Sequence, residues 1–154
     1  MPQRDLYHEN VKNALIKDGW TITDDPFRIQ YKGDTLFADL GAEKPIAAQL
    51  GTRKIVVEIK MFNAPSLYTE FERALGQYIL YRTLMAVVYP NHELFLGVPE
   101  DIQADFFKRE AVRLTLTAQR INVLVFNPEQ EERLDSLKCD ESCSNTLLMK
   151  MFSE

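Results

Sequence analysis

The sequence lacks a long apolar run and has only two cysteines, Cys139 and Cys143. A membrane-spanning helix needs about 20 consecutive apolar residues, so no membrane span is expected. The N-terminal segment is polar and has no apolar core, which argues against a secretory signal. A Cys-x-x-x-Cys pair without a second cysteine pair or a nearby histidine is a poor zinc site, so we expect two reduced thiols. These deficits together indicate a cytoplasmic protein.

Positive charge is also scarce, with 18 lysines and arginines against 23 aspartates and glutamates and a net charge of −5. Residues 127–154 contain seven acidic and three basic side chains, which leaves a net charge of −1 for residues 1–126. A near-neutral body lacks the strong field that attracts DNA unaided, although a local basic patch can still contact it. A DNA-binding function would therefore need a divalent metal or a protein partner to supply part of the attraction.

The rest of the composition is that of a globular protein, with 45% hydrophobic and 27% charged residues, and 154 residues suit one domain. Periodicity and turn residues predict helices at 4–18, 66–88, 99–107 and 111–119, and strands at 20–23, 27–31, 35–40, 54–62, 93–98 and 121–126. Residues 41–53 have no firm period and are expected to form a loop. Strands joined through helices imply a mixed α/β fold, with a central mixed sheet flanked by helices on both faces.

Glu58 and Lys60 stand in the most apolar of these predicted strands. Side chains two residues apart on a strand point to the same face, so a carboxylate and an ammonium lie side by side. Burying charges is costly unless they are paired or bind a metal. The simpler alternative is a solvated Glu–Lys pair within the strand, and the pattern by itself favours that alternative.

Asp39 lies near the end of the predicted strand 35–40, 19 residues before Glu58. If the two strands are neighbours, the two carboxylates converge on one point. Two carboxylates suit Mg²⁺, which prefers oxygen ligands and keeps several waters, and Mn²⁺ is a substitute. A lysine beside such an ion can help to deprotonate water or neutralise developing charge. The alternative for Asp39 is a turn-forming carboxylate before Gly41.

Gln77 is a polar amide on the apolar face of the long predicted helix, one turn before Tyr81. It could orient a metal-bound water or a phosphate, or it could be a core glutamine bonded to backbone carbonyls. On the first helix, His8 lies beside the apolar stripe and Glu9 points nearly the opposite way, so we expect His8 to face the sheet. Glu43 could also reach the site from the loop.

Together these residues resemble the PD-(D/E)xK, or restriction-endonuclease-like, superfamily, whose αβββαβ core matches residues 4–98. Its acidic residue matches Asp39, its (D/E)xK motif matches Glu58-Ile59-Lys60, and the QxxxY motif of its RecB-like branch matches Gln77 to Tyr81. Ala38 stands where the motif has proline. The resemblance implies Asp39 and Glu58 as metal ligands, with catalytic roles for Lys60 and Gln77.

A closer resemblance covers nearly all of residues 1–130. Four sequence segments carry this resemblance: VKNALIKDGWTIT (11–23), LFADLGAEKPIAA (36–48), VEIKMF (57–62) and ALGQYILYR (74–82). They are similar to the fdxN-element excision controlling factor H (XisH-like) family of cyanobacteria. The resemblance therefore predicts one nuclease-like domain over residues 1–130, followed by an acidic C-terminal extension over residues 131–154.

This family resemblance implies a role in developmentally programmed excision of a DNA element, with a separate site-specific recombinase performing the excision. The protein would act beside a second controlling factor, its I-type partner. The resemblance does not imply that family members cut DNA. Three hypotheses therefore stay open: an accessory factor that binds DNA or a partner, an active Mg²⁺-dependent endonuclease, and an interaction domain whose carboxylates only stabilise a polar core.

Overall fold

The computed structural model of the protein describes residues 2–46, 51–127, 135–138 and 146–150. Within these ranges the helices are α1 (Pro2–Lys17), α2 (Leu67–Val88), α3 (Glu100–Ala104), a 3₁₀ helix (Phe106–Lys108) and α4 (Glu110–Ala118). The strands are β1 (Thr21–Asp24), β2 (Phe27–Tyr31), β3 (Asp34–Ala38), β4 (Leu40–Ile46), β5 (Gly51–Ile59), β6 (His92–Pro99), β7 (Val123–Phe126), β8 (Asp135–Lys138) and β9 (Thr146–Lys150).

Seven of these strands form one mixed sheet in the order β1-β4-β5-β6-β7-β9-β8. Strands β1, β4 and β5 are antiparallel neighbours, whereas β5, β6 and β7 are parallel. The parallel connections run through helices, as parallel strands require. The mixed α/β fold expected from the sequence is therefore confirmed.

Strand β5 is buried on both faces and divides the core in two. Its residues Ile55 and Val57 pack with α1, while Val56 packs with α2. Because side chains alternate along a strand, Glu58 lies on the α2 face with Val56. The expected central position of this strand is confirmed. The alternation of its side chains decides which helix lies over Glu58.

Helix α2 begins and ends where the sequence predicts. The side-chain oxygen of Ser66 accepts a hydrogen bond from the backbone N–H of Thr69 at 3.3 Å, which caps the first turn. Its buried residues recur at helical spacing and face the sheet; they are Phe71, Ala74, Tyr78, Tyr81 and Met85. The capped helix therefore holds Gln77 and Tyr81 at fixed heights above the sheet. No helix in the described ranges is long and apolar enough to cross a membrane.

The expected loop at 41–53 is wrong, because β4 and the first residues of β5 occupy its described part. Gly41 and Ala42 are consecutive in the sequence and are both buried beside neighbouring strands. The segment therefore lacks the alternation of apolar and polar residues that indicates a strand. A Cβ atom at Gly41 would lie 2.7 Å from the Phe27 ring, which explains a small residue in the middle of a strand. Pairing with β1 and β5, rather than local propensity, fixes this segment as a strand.

The strands expected at 27–31 and 35–40 pair with each other, but they do not join the central sheet. They form a separate two-stranded sheet, β2–β3, that packs against α2. The chain leaves β3 at Ala38, bends at Asp39 and enters the central sheet at Leu40. Asp39 therefore lies at the junction of the two sheets.

Part of the C-terminal segment adds to the far edge of the central sheet. Strand β9 pairs in parallel with β7, and β8 pairs antiparallel with β9. The sequence analysis assigned both segments to an extension beyond residue 130 and predicted no strand there. The division into residues 1–130 and 131–154 stays a prediction, and Cys139 and Cys143 lie outside the described residues.

Candidate functional site

Asp39 and Glu58 face each other across neighbouring strands. The antiparallel β4–β5 register pairs Leu40 with Val57, so Asp39, the residue before Leu40, lies opposite Glu58, the residue after Val57. A carboxylate oxygen of Glu58 (Oε2) accepts a hydrogen bond from the Asp39 N–H at 3.2 Å, and Asp39 Oδ2 accepts one from the Ile59 N–H at 2.7 Å. These crossed bonds hold the two residues beside each other, although Asp39 lies between β3 and β4 and not within the strand expected at 35–40.

Lys60 comes directly after β5 and stays on the face of Glu58. Its N–H donates to the Gly97 carbonyl at 2.8 Å, which continues the pairing with β6 by one step. Its ammonium nitrogen lies 3.7 Å from Glu58 Oε1, and 27% of the Lys60 side chain is exposed. Glu58 is only 5% exposed. The lysine therefore offsets a buried carboxylate while its free donors point towards an open space.

That space is a cavity of about 660 Å³, and every residue matched to the nuclease motifs in the sequence lines it. Helix α1, strand β3, the β5 end and helix α2 all contribute to its walls. The residues that line it are Tyr7, His8, Thr35, Leu36, Phe37, Asp39, Glu58, Ile59, Lys60, Met61, Asn63, Gln77 and Tyr81. The fold thus brings together Asp39, Glu58, Lys60 and Gln77, which are up to 38 positions apart in the sequence.

Gln77 acts on the site through Tyr81. Its amide nitrogen donates to the Tyr81 hydroxyl at 2.8 Å, and that hydroxyl donates to the carbonyl of Phe37 at 3.0 Å. This chain of hydrogen bonds ties α2 to β3 two residues before Asp39. The geometry therefore gives Gln77 and Tyr81 a positioning role for β3, the strand that leads into Asp39.

Replacing Tyr81 by Phe is expected to lower the free energy of unfolding by about 0.5–1.5 kcal/mol, because the Phe37 carbonyl and the Gln77 amide each lose a partner in a partly buried place. Denaturant unfolding measures this loss. Tyr68→Phe, which removes a hydroxyl from an exposed side chain on the same helix, is the control and should change little. Equal effects of the two substitutions would contradict the positioning role.

His8, Lys12 and Asp25 form a network that the sequence analysis did not find. One Asp25 carboxylate oxygen lies 2.6 Å from His8 Nε2, and the other accepts from Lys12 Nζ at 2.9 Å. Burial opposes ionisation of Asp25, but hydrogen bonds from Lys12 and His8 outweigh it and lower the pKa of this carboxyl. The hydrogen bond to Asp25 raises the pKa of Lys12. His8 and Lys12 are one helical turn apart, which is the signal that the sequence contained.

The other carboxylates considered for the site take different positions. Glu9 is exposed, as expected, while His8 lines the cavity. Glu43 lies in β4 opposite Lys54 and does not line the cavity, so the structure does not bring it to Asp39 and Glu58. Among the described residues there is no group of three or more acidic, histidine or cysteine side chains arranged to hold a metal ion.

The donor set of the cavity fits a hard divalent cation that shares its coordination with water and substrate. Mg²⁺ is commonly held by one or two carboxylates, with waters and phosphate oxygens completing the shell. Asp39 and Glu58 supply two carboxylates on one side of an open cavity. The set fits zinc less well, because zinc sites have at least two nitrogen or sulfur ligands and this cavity offers one imidazole and no thiolate.

The chain is similar to a known protein family and to solved structures. The model of the XisH protein family matches residues 1–134. A crystal structure of an fdxN element excision controlling factor protein from Anabaena variabilis has 40% sequence identity and a TM-score of 0.74. The alignment covers 82% of this chain and 94% of that chain.

A crystal structure of an XisH family protein from Nostoc punctiforme PCC 73102 is also similar to this chain. It has 35% sequence identity and a TM-score of 0.74, and the alignment again covers 82% of this chain and 94% of that chain. No curated protein matches the chain significantly. Two structures at this identity and coverage support both the fold and the family assignment.

Proposed function

This chain belongs to the XisH family, and we propose that it is an accessory controlling factor in the site-specific excision of a DNA element during cyanobacterial developmental genome rearrangement. One observation carries the proposal: the 40% identity, over 82% of this chain, to an fdxN element excision controlling factor protein. The proposed partners are DNA, a site-specific recombinase and a second, I-type controlling factor. The recombinase would cut and rejoin DNA, and this chain would act beside it.

The charge of the chain supports a role within an assembly. A body with a net charge of −1 over residues 1–126 attracts DNA weakly, because affinity for DNA is dominated by phosphate neutralisation. A partner protein or a bound cation would supply the missing attraction. Within the cavity one ammonium, that of Lys60, faces two carboxylates, those of Asp39 and Glu58, so the cavity adds no positive field of its own.

The second candidate function is a divalent-metal-dependent DNA endonuclease of the PD-(D/E)xK type. The observation that favours it is the gathering of Asp39, Glu58 and Lys60 in one cavity. Asp39 and Glu58 would hold Mg²⁺ or Mn²⁺, which can lower the pKa of bound water and stabilise phosphate charge. Lys60 would accept a proton from the attacking water or neutralise charge on the phosphate, and the Gln77–Tyr81 bond would keep β3 in place.

An excision reporter tests the proposed role. A plasmid carries a DNA element between recombination sites in cells that lack this chain but supply the recombinase and the I-type factor. Junction PCR measures the excised product with and without this chain. We expect excision only when the chain is expressed, since an accessory factor is required for the assembly. Equal excision in both strains would overturn the proposal.

A further inference from the structure

Phe37 is an exposed aromatic side chain at the candidate site. It is 53% exposed, although burying such a ring is favourable. Several other large apolar side chains in the described ranges are also exposed; they are Ile16, Tyr68, Ile79, Leu80, Val87 and Leu114. Phe37 alone among these lines the cavity of Asp39, Glu58 and Lys60. An aromatic face is thus presented to solvent two residues from a candidate metal ligand.

The backbone under this ring is fixed from two sides. Phe37 pairs with Arg28 across the β2–β3 hairpin, and its carbonyl accepts the hydrogen bond of Tyr81. The Gln77–Tyr81 pair therefore positions Phe37 as well as Asp39. A ring held on a rigid backbone loses little conformational entropy when a flat ligand stacks on it.

The shape of the cavity restricts the ligand that can reach this ring. At about 660 Å³ it lies within the range of cavities that enclose one small ligand, roughly 300–1,000 Å³. A second cavity of about 720 Å³ shares Tyr7, Met61 and Asn63 with it. The shared residues show that the two cavities adjoin, so a ligand bound at Phe37 can extend from the first cavity towards the second.

We propose that an unpaired base of a DNA strand stacks on Phe37 while the Lys60 ammonium pairs with the adjacent phosphate. The ligand class is single-stranded or locally unpaired DNA. This inference rests on the proposed function, because it assumes that the chain contacts DNA. Stacking is sequence-tolerant, because every base has a flat π-face.

Fluorescence anisotropy tests the inference with labelled strands of about 16 nucleotides, a length at the upper end of small single-strand binding sites. The probes are a base-bearing single strand, the same strand with central abasic sites, and the matching duplex. Ca²⁺ is present, because it takes the same kinds of oxygen ligand as Mg²⁺. The wild-type protein should bind the base-bearing single strand more tightly than either other probe.

Phe37→Ala should weaken binding to the base-bearing strand about tenfold, the loss expected for one base–aromatic stack, and leave the abasic strand unchanged. Phe37→Trp keeps an aromatic face and should restore the affinity. Leu114→Ala is the control, because Leu114 is 68% exposed and lines neither cavity. Unchanged binding in Phe37→Ala, or equal wild-type affinity for base-bearing and abasic strands, would overturn the inference.

The excision reporter separates this inference from the proposed function. If Phe37→Ala loses excision but binds every strand like the wild type, the ring contacts a protein partner; the inference then fails and the excision role stands. If the wild type binds base-bearing strands through Phe37 but excision does not depend on the chain, the excision role fails and the stacking site stands.

Discussion

Asp39→Asn is expected to abolish Mg²⁺ and Mn²⁺ binding while leaving the fold nearly unchanged. The asparagine amide oxygen can still accept the hydrogen bond from the Ile59 N–H, which Asp39 Oδ2 accepts at 2.7 Å. The negative charge is lost, and with it one of two carboxylates that face the cavity. Because a hard cation depends on anionic oxygen ligands and this assay contains no phosphate ligand, one remaining carboxylate should not hold it measurably. Isothermal titration calorimetry with MgCl₂ and MnCl₂ measures the binding.

Asp39→Ala is a poorer variant for this purpose, because it also leaves the Ile59 N–H without its acceptor. An unsatisfied buried donor costs about 1–3 kcal/mol, so we expect Asp39→Ala to unfold at lower denaturant concentration than Asp39→Asn. Loss of metal binding in both variants, with lowered stability only in Asp39→Ala, would separate the two roles of this carboxylate. Full metal binding by Asp39→Asn would exclude Asp39 as a ligand.

Lys60→Met is expected to lower any DNA cleavage by the protein about 10²- to 10⁴-fold, the usual contribution of a positioned proton-transfer group. Methionine keeps most of the length and apolar surface of the lysine stem but has no ammonium. Metal binding should persist, since Lys60 is a neighbour of the carboxylates and not a ligand. A plasmid nicking assay in Mg²⁺ and Mn²⁺ measures cleavage. Lys108→Met, on an exposed residue of the 3₁₀ helix, is the control.

The same variant in the excision reporter decides between the two candidate functions. Excision at the wild-type level with Lys60→Met would remove the nuclease as the biological role and leave the accessory factor. Excision that falls together with nicking would make cleavage by this chain part of the process. Nicking that is equal in wild type, Lys60→Met and Lys108→Met would trace the activity to a contaminant.

Sequence periodicity was sufficient for the elements whose local pattern agrees with their environment. The α2 helix has a serine cap and buried residues at helical spacing, so its start and end were predictable. Strand β5 carries apolar residues on both faces, which marked it as central before any partner was known. The ordered motif strings also predicted the XisH family, and that assignment is confirmed.

The residues of the candidate site could be proposed from the sequence, but the long-range hydrogen bonds that connect them could not. Same-face spacing joined Glu58 to Lys60, and helical spacing joined Gln77 to Tyr81. Both are local relations, which a sequence shows directly. The Ile59 N–H donates to the Asp39 carboxylate and the Tyr81 hydroxyl donates to the Phe37 carbonyl; these bonds span 20 and 44 positions, and no local rule specifies them.

The sequence by itself determined the helices, the central buried strand, the family and the chemical groups of the candidate site. Only the tertiary structure decided that β2 and β3 leave the central sheet and that residues 41–46 enter it. It also decided that His8 meets Asp25 and that Phe37 opens onto the cavity. The physical reason is that strand pairing and burial depend on partners distant in sequence, which outweigh weak local preferences at glycine- and alanine-rich positions such as Gly41 and Ala42.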